Sequence, residues 1–321
     1  MKSSSKWIVS DAGTTPVVRV ADRTLRKRLL AVWTILPRAC EPAGDPEQVH
    51  QLRVATRRAL AALKAFEKLL PAKRRAWFEK QLRRLRRAAG EARDLDVLTS
   101  RLTHDLQRGS PRPSRTATVS AGGQTARSRL VAMLSRQRVV SRQPIRDRYE
   151  RLLEADWSQR TERLLERLGR QPLERKQPTF AAYARRRFRP LVGHFFAAAD
   201  RRIRTAEELH TFRIEGKKIR YILEIFATVF PERVRSRCYA ALEQLQETLG
   251  DFTDHAAAAD RFRRWSRDDA AAAHRDVLER LRRHEQQLAN RARKDFAKWW
   301  DGDRRLSLRR TFDRTLRRRS A

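Results

Sequence analysis

Two segments of the chain place a histidine ahead of a row of cations: HQLRVATRR from His50 and HTFRIEGKK from His210. A helix turns by about 100° per residue. On such a helix His50, Arg53, Arg57 and Lys64 share one side, together with Val54 and Ala61, and Arg58 lies at its edge. In the second segment the same side carries His210, Arg213, Ile214, Lys217 and Tyr221, flanked by Lys218 and Arg220. A helix face decorated only for solubility mixes charge signs at i,i+4, because like charges at that spacing repel. Here the first two turns of both faces carry cations with no acid between them, so a bound anion is the natural compensation. Guanidinium groups suit an anionic ligand of this kind, because their planar donor fork matches phosphate oxygens bidentately and stays charged at any relevant pH. Successive turns rise by about 5.4 Å, and a line of cations spaced that way fits a linear polyanion better than a compact one.

The two histidines have several possible roles. As metal ligands they lack partners: there is no HExxH and no paired cysteine, and cationic neighbours repel a metal ion and lower the imidazole pKa. No metal or other cofactor is therefore expected. A covalent phosphate-carrier role needs a donor site that nothing in the sequence supplies. A hydrogen bond to phosphate, or a satisfied interior position, accounts better for both. DLDVL at Asp94–Leu98 has the form of an aspartyl-phosphate signature, but that chemistry needs the first aspartate at the end of a parallel strand, and none is predicted here. Helix capping by Asp94 is the better account. No Walker A, GxGxxG, GxSxG or CxxC motif occurs, and no catalytic residue is assigned.

These two segments sit in a longer internal repeat. With an offset of 160 residues, His50 pairs with His210, Arg53 with Arg213, Arg57 with Lys217, Leu63 with Leu223, Phe66 with Phe226 and Pro71 with Pro231. Without a gap the match continues to Leu82/Leu242, Leu85/Leu245, Gly90/Gly250 and Asp94/Asp254. Such agreement in charge, apolar positions and punctuation reads as a duplication. Leu52, Ala59, Leu63, Phe66 and Leu70 form an apolar stripe at helical spacing, a helix that Pro71 is expected to stop. A second helix carries Trp77, Phe78, Leu82 and Leu85 and is expected to end near Gly90, with Asp94 capping a third. An opening helix with Leu25, Leu29, Val32 and Leu36 closes at Pro37, and its counterpart runs from Phe180 to about Ile203.

The expected architecture is all-α: two bundles of about four helices each. Residues 1–20 form an N-terminal segment. The first half spans 21–170, with a low-complexity loop at about 108–125 read as mobile. A connection at 171–180 follows, and the second half at 181–321 ends in a basic tail. Glycine and proline are scarce in the 321 residues, charged residues make up 35% and hydrophobic ones 40%, which argues against a β-sandwich, a doubly wound sheet or a disulfide scaffold. The net charge of +36 implies a polyanionic partner. No apolar run is long enough to span a membrane. The first residues lack a signal peptide's apolar core, and Cys40 and Cys238 read as reduced, buried thiols. A cytoplasmic location is therefore expected, with no membrane partner. Nucleic acid is the competing partner, weakened by the absence of a base-reading motif. An enzyme acting on phosphate chains is weaker still, because no carboxylate cluster for Mg²⁺ adjoins the repeats. Oligomeric state is not specified by any of these features.

The paired segments, with the G-x-x-x-D elements at Gly90–Asp94 and Gly250–Asp254, resemble the two signatures of the conserved histidine α-helical domain family, CHAD, across about residues 20–320. The resemblance implies two pseudo-twofold-related bundles around a basic central groove or pore, and non-catalytic binding of inorganic polyphosphate at polyphosphate granules. The binding residues it implies are His50, Arg53, Arg57 and Arg58, with His210, Arg213, Lys217, Lys218 and Arg220. The first segment departs from the pattern with Leu60 where the second has Arg220. The Glu-x-Glu-x-Lys signature of the triphosphatase domain that some relatives carry is absent, so no enzymatic activity is carried over.

Overall fold

The computed structural model describes residues 7–8, 12–108, 121–169, 178–200, 205–267 and 275–317. Eleven α-helices account for nearly all of them: α1 (Val17–Ala39), α2 (Pro46–Ala65), α3 (Ala72–Arg108), α4 (Ala121–Val140), α5 (Gln143–Glu154) and α6 (Trp157–Gly169), then α7 (Phe180–Ala199), α8 (Ala206–Ile225), α9 (Glu232–Trp265), α10 (Arg275–Trp299) and α11 (Gly302–Arg317). Among the described residues there is no strand, only an isolated bridge between Pro16 and Thr179 that joins the entrances of α1 and α7. No described helix is long and apolar enough to cross a membrane. The all-helical expectation is met, with more helices on each side of the 170–177 segment than the about four expected. That segment, most of the expected loop at 108–125, and the last residues of the basic tail lie outside the described residues.

Local sequence accounts for the helix starts that matter here. Asp45 caps α2 by accepting from the Glu47 amide at 2.8 Å, with Pro46 preset for the first turn. Thr205 and Glu208 form a reciprocal capping box at the start of α8. Two expectations about punctuation need correction. Pro71 does not stop the first repeat helix, which already ends at Ala65 and turns through Phe66 to Leu70. Pro71 and Pro231 instead open the next helices: their carbonyls accept from the Arg75 and Arg235 amides at 3.0 and 2.9 Å. Pro37 likewise lies within α1.

The second correction concerns Gly90 and Asp94. Neither is a helix boundary, because α3 runs unbroken from Ala72 to Arg108 and α9 passes through Gly250 in the same way. A mid-helix glycine costs about 1 kcal/mol relative to alanine, which the strong helix formers on both sides offset. No glycine in the described chain has a positive φ, so close approach by a neighbour, not backbone conformation, is what these positions provide.

The two signature helices pack against one another as well as each against its own long partner, α2 on α3 and α8 on α9. Phe66 and Phe226, which end α2 and α8, meet edge-on at 6.4 Å between centroids. Around them Tyr183, Phe180 and Phe188 of α7 are fully buried, and the Tyr183 hydroxyl donates to the Ala65 carbonyl at 2.8 Å. A separate, smaller apolar cluster joins α3, α4, α9 and α10 through Leu98, Leu134, Phe262 and Leu278. Cys40 and Cys238 are free and buried, and burial pushes their thiols up to about 11 and about 12 respectively.

Candidate functional site

Between α2, α3, α7, α8 and α9 lies a cavity of about 1500 Å³. The lining residues of α3 run from Arg75 to Leu98, about 34 Å of helix at 1.5 Å per residue. Its centre is formed by α2 and α8. His50, Arg53 and Arg57 face it from α2, and His210, Arg213 and Lys217 from α8. The hairpin partner α3 adds Arg86 and Arg93. Asp94 and Asp254 line the same cavity, and their charge partly offsets the effect of burial on Arg53 and on Arg213 and Lys217 respectively.

The glycines of the G-x-x-x-D elements explain how two of these arginines are held. A Cβ on Gly90 would sit 3.6 Å from the Arg53 guanidinium, and one on Gly250 would sit 3.4 Å from that of Arg213. Each arginine crosses its partner helix where the side chain is missing. Arg53 Nη1 also donates to the Arg86 carbonyl at 3.1 Å. On the other side, the Gln246 amide donates to the Arg213 carbonyl at 3.0 Å. That contact depends on Gly216, where a Cβ would meet Gln246 Nε2 at 2.6 Å and Leu245 Cδ2 at 3.0 Å.

Crowding and burial leave the cations short of counter-charge. Arg53 is pushed down to about 10, by burial first and then by Arg57. Burial and the neighbouring Arg57 also lower Arg86, and burial lowers Arg213. Lys217 is pushed down to about 6, by burial and then by Arg57 and Arg213. His50 is lowered by burial and Arg93, and His210 by burial, Arg213 and Lys217. Both imidazoles are thereby biased toward the neutral form near pH 7.

Of the eleven residues singled out from the sequence, nine line the cavity: His50, Arg53, Arg57, Lys64, His210, Arg213, Lys217, Lys218 and Tyr221. Two of those already hold ion pairs, Lys64 with Glu67 at 2.7 Å and Lys218 with Glu215 at 2.6 Å. Arg58 and Arg220 are not part of the lining. Arg58, one residue on from Arg57, is rotated by about 100° and points into the core. There its Nε donates to the fully buried Glu224 at 2.8 Å, with Arg28 at 3.8 Å and the Tyr239 hydroxyl at 3.1 Å completing the carboxylate's shell. Arg220 lies over the rings of Tyr221 and Tyr239, at 5.2 and 5.7 Å, and 3.8 Å from Glu243. Both are structural groups at the contact of α2 and α8 with their neighbours.

The sequence reading missed the contribution of α3, because it ended that helix at Gly90. Arg83, Arg86, Arg93, Asp94 and Val97 recur at helical spacing on either side of the glycine, and that continuity was the available signal. Arg187 and His194 of α7 and Arg261 and Arg264 of α9 also line the cavity, but no repeat or periodic pattern distinguishes them. Asp94, read as a cap, is a lining residue, as is Asp254.

The sequence model of the CHAD domain matches residues 23–263, from α1 almost to the end of α9. The chain belongs to the CHAD domain family. That family is linked to phosphate-related binding in general. This CHAD domain is similar in fold to the crystal structure of the CHAD domain from the plant Ricinus communis, with a TM-score of 0.68 and 21% identity over 90% of this chain and 92% of that one. It also resembles PptA from Streptomyces chartreusis, with a TM-score of 0.55 and 19% identity over 89% of this chain and 99% of that one. At those identities the likeness is one of fold. No curated protein matches the sequence significantly.

Proposed function

We propose that this CHAD domain binds inorganic polyphosphate non-catalytically, as a component of polyphosphate granules. The ligand would lie in a basic groove between two duplicated, pseudo-twofold-related halves. The observation that carries the reading is the convergence of Arg53, Arg57, Arg86 and Arg93 with Arg213 and Lys217 on one cavity, where they outnumber Asp94 and Asp254. Cations crowded together with too little counter-charge destabilise the free protein, and a polyanion with a charge on every unit offsets that cost. The elongated run of lining residues along α3 favours a linear chain over orthophosphate, which engages too few cations at once. The match of residue types at an offset of 160 supports the duplication, as does the parallel placement of Arg53 over Gly90 and Arg213 over Gly250. Family membership supports a phosphate ligand.

The test is competition between long-chain polyphosphate and nucleic acid for the protein at physiological salt, with free phosphate followed in the same sample. The expected outcome is displacement of nucleic acid by polyphosphate and no phosphate release. Preferential retention of nucleic acid would overturn the choice of ligand, and steady phosphate release would overturn the non-catalytic reading.

A further inference from the structure

The two copies diverge in charge around the matched leucines Leu85 and Leu245. There α3 reads RRLRR over residues 83–87, and α9 reads EQLQE over 243–247. Arginines stand at all four positions where the other copy has glutamate or glutamine. Four cations within two turns repel one another, and an anion relieves that repulsion. Only half of them serve the cavity. Arg83 and Arg86 line it and are exposed, so they stand at its mouth. Arg84 and Arg87 are each rotated by about 100° from those neighbours and fall outside the lining.

On that outer side α5 packs against α3 and adds Arg148 and Arg151. Arg148 is half-buried there, and Arg151 is exposed. Burial first, then the charges of Arg151, Arg84 and Arg87, lower the Arg148 guanidinium, with Asp147 opposing them. Among the described residues, none of these four guanidiniums forms a hydrogen bond or ion pair, although Asp147 and Glu154 stand on α5 as well. The outer cluster also adjoins the cavity. Arg86 is lowered by burial, then by Arg57 within the cavity, by Arg83 at its mouth and by Arg87 beyond it. Cations therefore continue from Arg57 through Arg86 and Arg87 to Arg84, Arg148 and Arg151 on the far side of α3. At the matching positions α9 exposes Glu243 and Glu247, which repel an anion. We propose that this row is a second part of the polyanion site: a long polyphosphate leaves the cavity over α3 and continues along the seam of α3 and α5, on one half of the molecule only. This rests on the polyphosphate reading above and adds to it the path of the chain beyond the cavity. A compact anion cannot reach both sides of a helix about 10 Å across, whereas a chain of flexible P–O–P links can bend over it.

The experiment measures the binding of linear polyphosphates of graded length, at one salt concentration, to three proteins. One is unaltered, and one carries Arg84→Gln, Arg87→Gln, Arg148→Gln and Arg151→Gln. The third loses four exposed charges elsewhere, through Gln at Arg293, Lys294, Lys298 and Arg310. The shortest chains should bind the outer variant within about twofold of this control. Chains several times longer should bind the outer variant about tenfold more weakly than the control, the worth of one hydrogen bond to a charged group. On the unaltered protein, long chains should shield Arg87 and Arg151 from an arginine-selective dicarbonyl reagent and short chains should not, which reads the contact without any substitution. Equal affinity of the outer and control variants at every length would overturn the proposal and confine the chain to the cavity. Arg87 and Arg151 left reactive under long chains would do the same. A loss of equal proportion for short and long chains would overturn it too, because the cluster would then act on the cavity itself. If no length binds the unaltered protein, the polyphosphate reading falls, and this one with it.

Discussion

Arg57 and Arg58 are adjacent in sequence and serve opposite ends. Arg57 faces the cavity among other cations, and Arg58 neutralises Glu224 in the core. Replacing Arg58 by Ala leaves a buried carboxylate with only Arg28 and Tyr239 near it. This should destabilise the fold by about 3 kcal/mol, read as a lower urea midpoint, while a protein still folded at low temperature keeps its ligand affinity. Arg57→Gln should do the reverse, weakening polyphosphate binding about tenfold with stability unchanged or slightly higher. Lys217 supports a second prediction. Its ammonium is depressed to about 6 in the free protein, against an ordinary value near 10.4. Between those limits the unfolded chain holds a proton that the folded one lacks, so the contribution of this group to stability rises with pH across that window. An anion in the cavity favours the charged form, and binding near pH 7.5 should therefore take up a proton. Calorimetry in buffers of different ionisation enthalpy should detect the uptake, which Lys217→Gln should reduce, leaving the smaller share of His50 and His210. Buffer-independent heats would show that Lys217 stays neutral in the complex.

At the scale of elements, the glycines of α3, α8 and α9 have different jobs despite similar helical surroundings. Gly90 has room for a Cβ at ordinary contact distance from Arg53. Gly90→Ala should therefore stabilise the protein by about 0.5–1 kcal/mol through helix propensity, with little change in binding. Gly90→Leu fills the place where Arg53 crosses and should weaken binding without unfolding the helix. Gly216 allows no such addition: its Cβ would press on Gln246 and Leu245, which are buried against α8. Gly216→Ala should cost about 1–2 kcal/mol by overpacking and by loss of the bond from Gln246 to the Arg213 carbonyl. Thermal unfolding of the three variants side by side tests the assignment, and equal effects of Ala at positions 90 and 216 would refute it.

For the whole molecule, the question is whether a net charge of +36 binds polyanions diffusely or through the cavity. Two quadruple variants separate the cases, each removing four charges. One replaces Arg53, Arg57, Arg86 and Arg213 by Gln. The other replaces Arg293, Lys294, Lys298 and Arg310, which are exposed and outside the cavity lining. The cavity variant should lose polyphosphate affinity by at least about a hundredfold and the surface variant by about threefold or less. The logarithm of affinity should fall linearly with the logarithm of salt concentration, as counterion release requires, with a shallower slope in the cavity variant. Similar losses in both would show that long-range attraction alone does the binding.

The helical class, the two signature faces and nine of their eleven residues were legible in the chain, because helix periodicity and like charges at i,i+4 are local properties that a sequence displays directly. The span of α3 was not legible from the rule that glycine ends helices. Gly90 is there for an arginine arriving from another helix, and nothing within α3 announces that visitor. The opposite fates of Arg57 and Arg58 were also undecided by type, since a guanidinium serves a phosphate and a buried carboxylate equally well. Only the packing of α2 against α8 placed Glu224 within reach of one and the open cavity in front of the other. The same holds for Asp94 and Asp254, one helix turn after their glycines. Sequence marks them as a repeated pair, and the tertiary arrangement alone turns both toward one cavity, where they are the counter-charges of Arg53 and of Arg213 and Lys217.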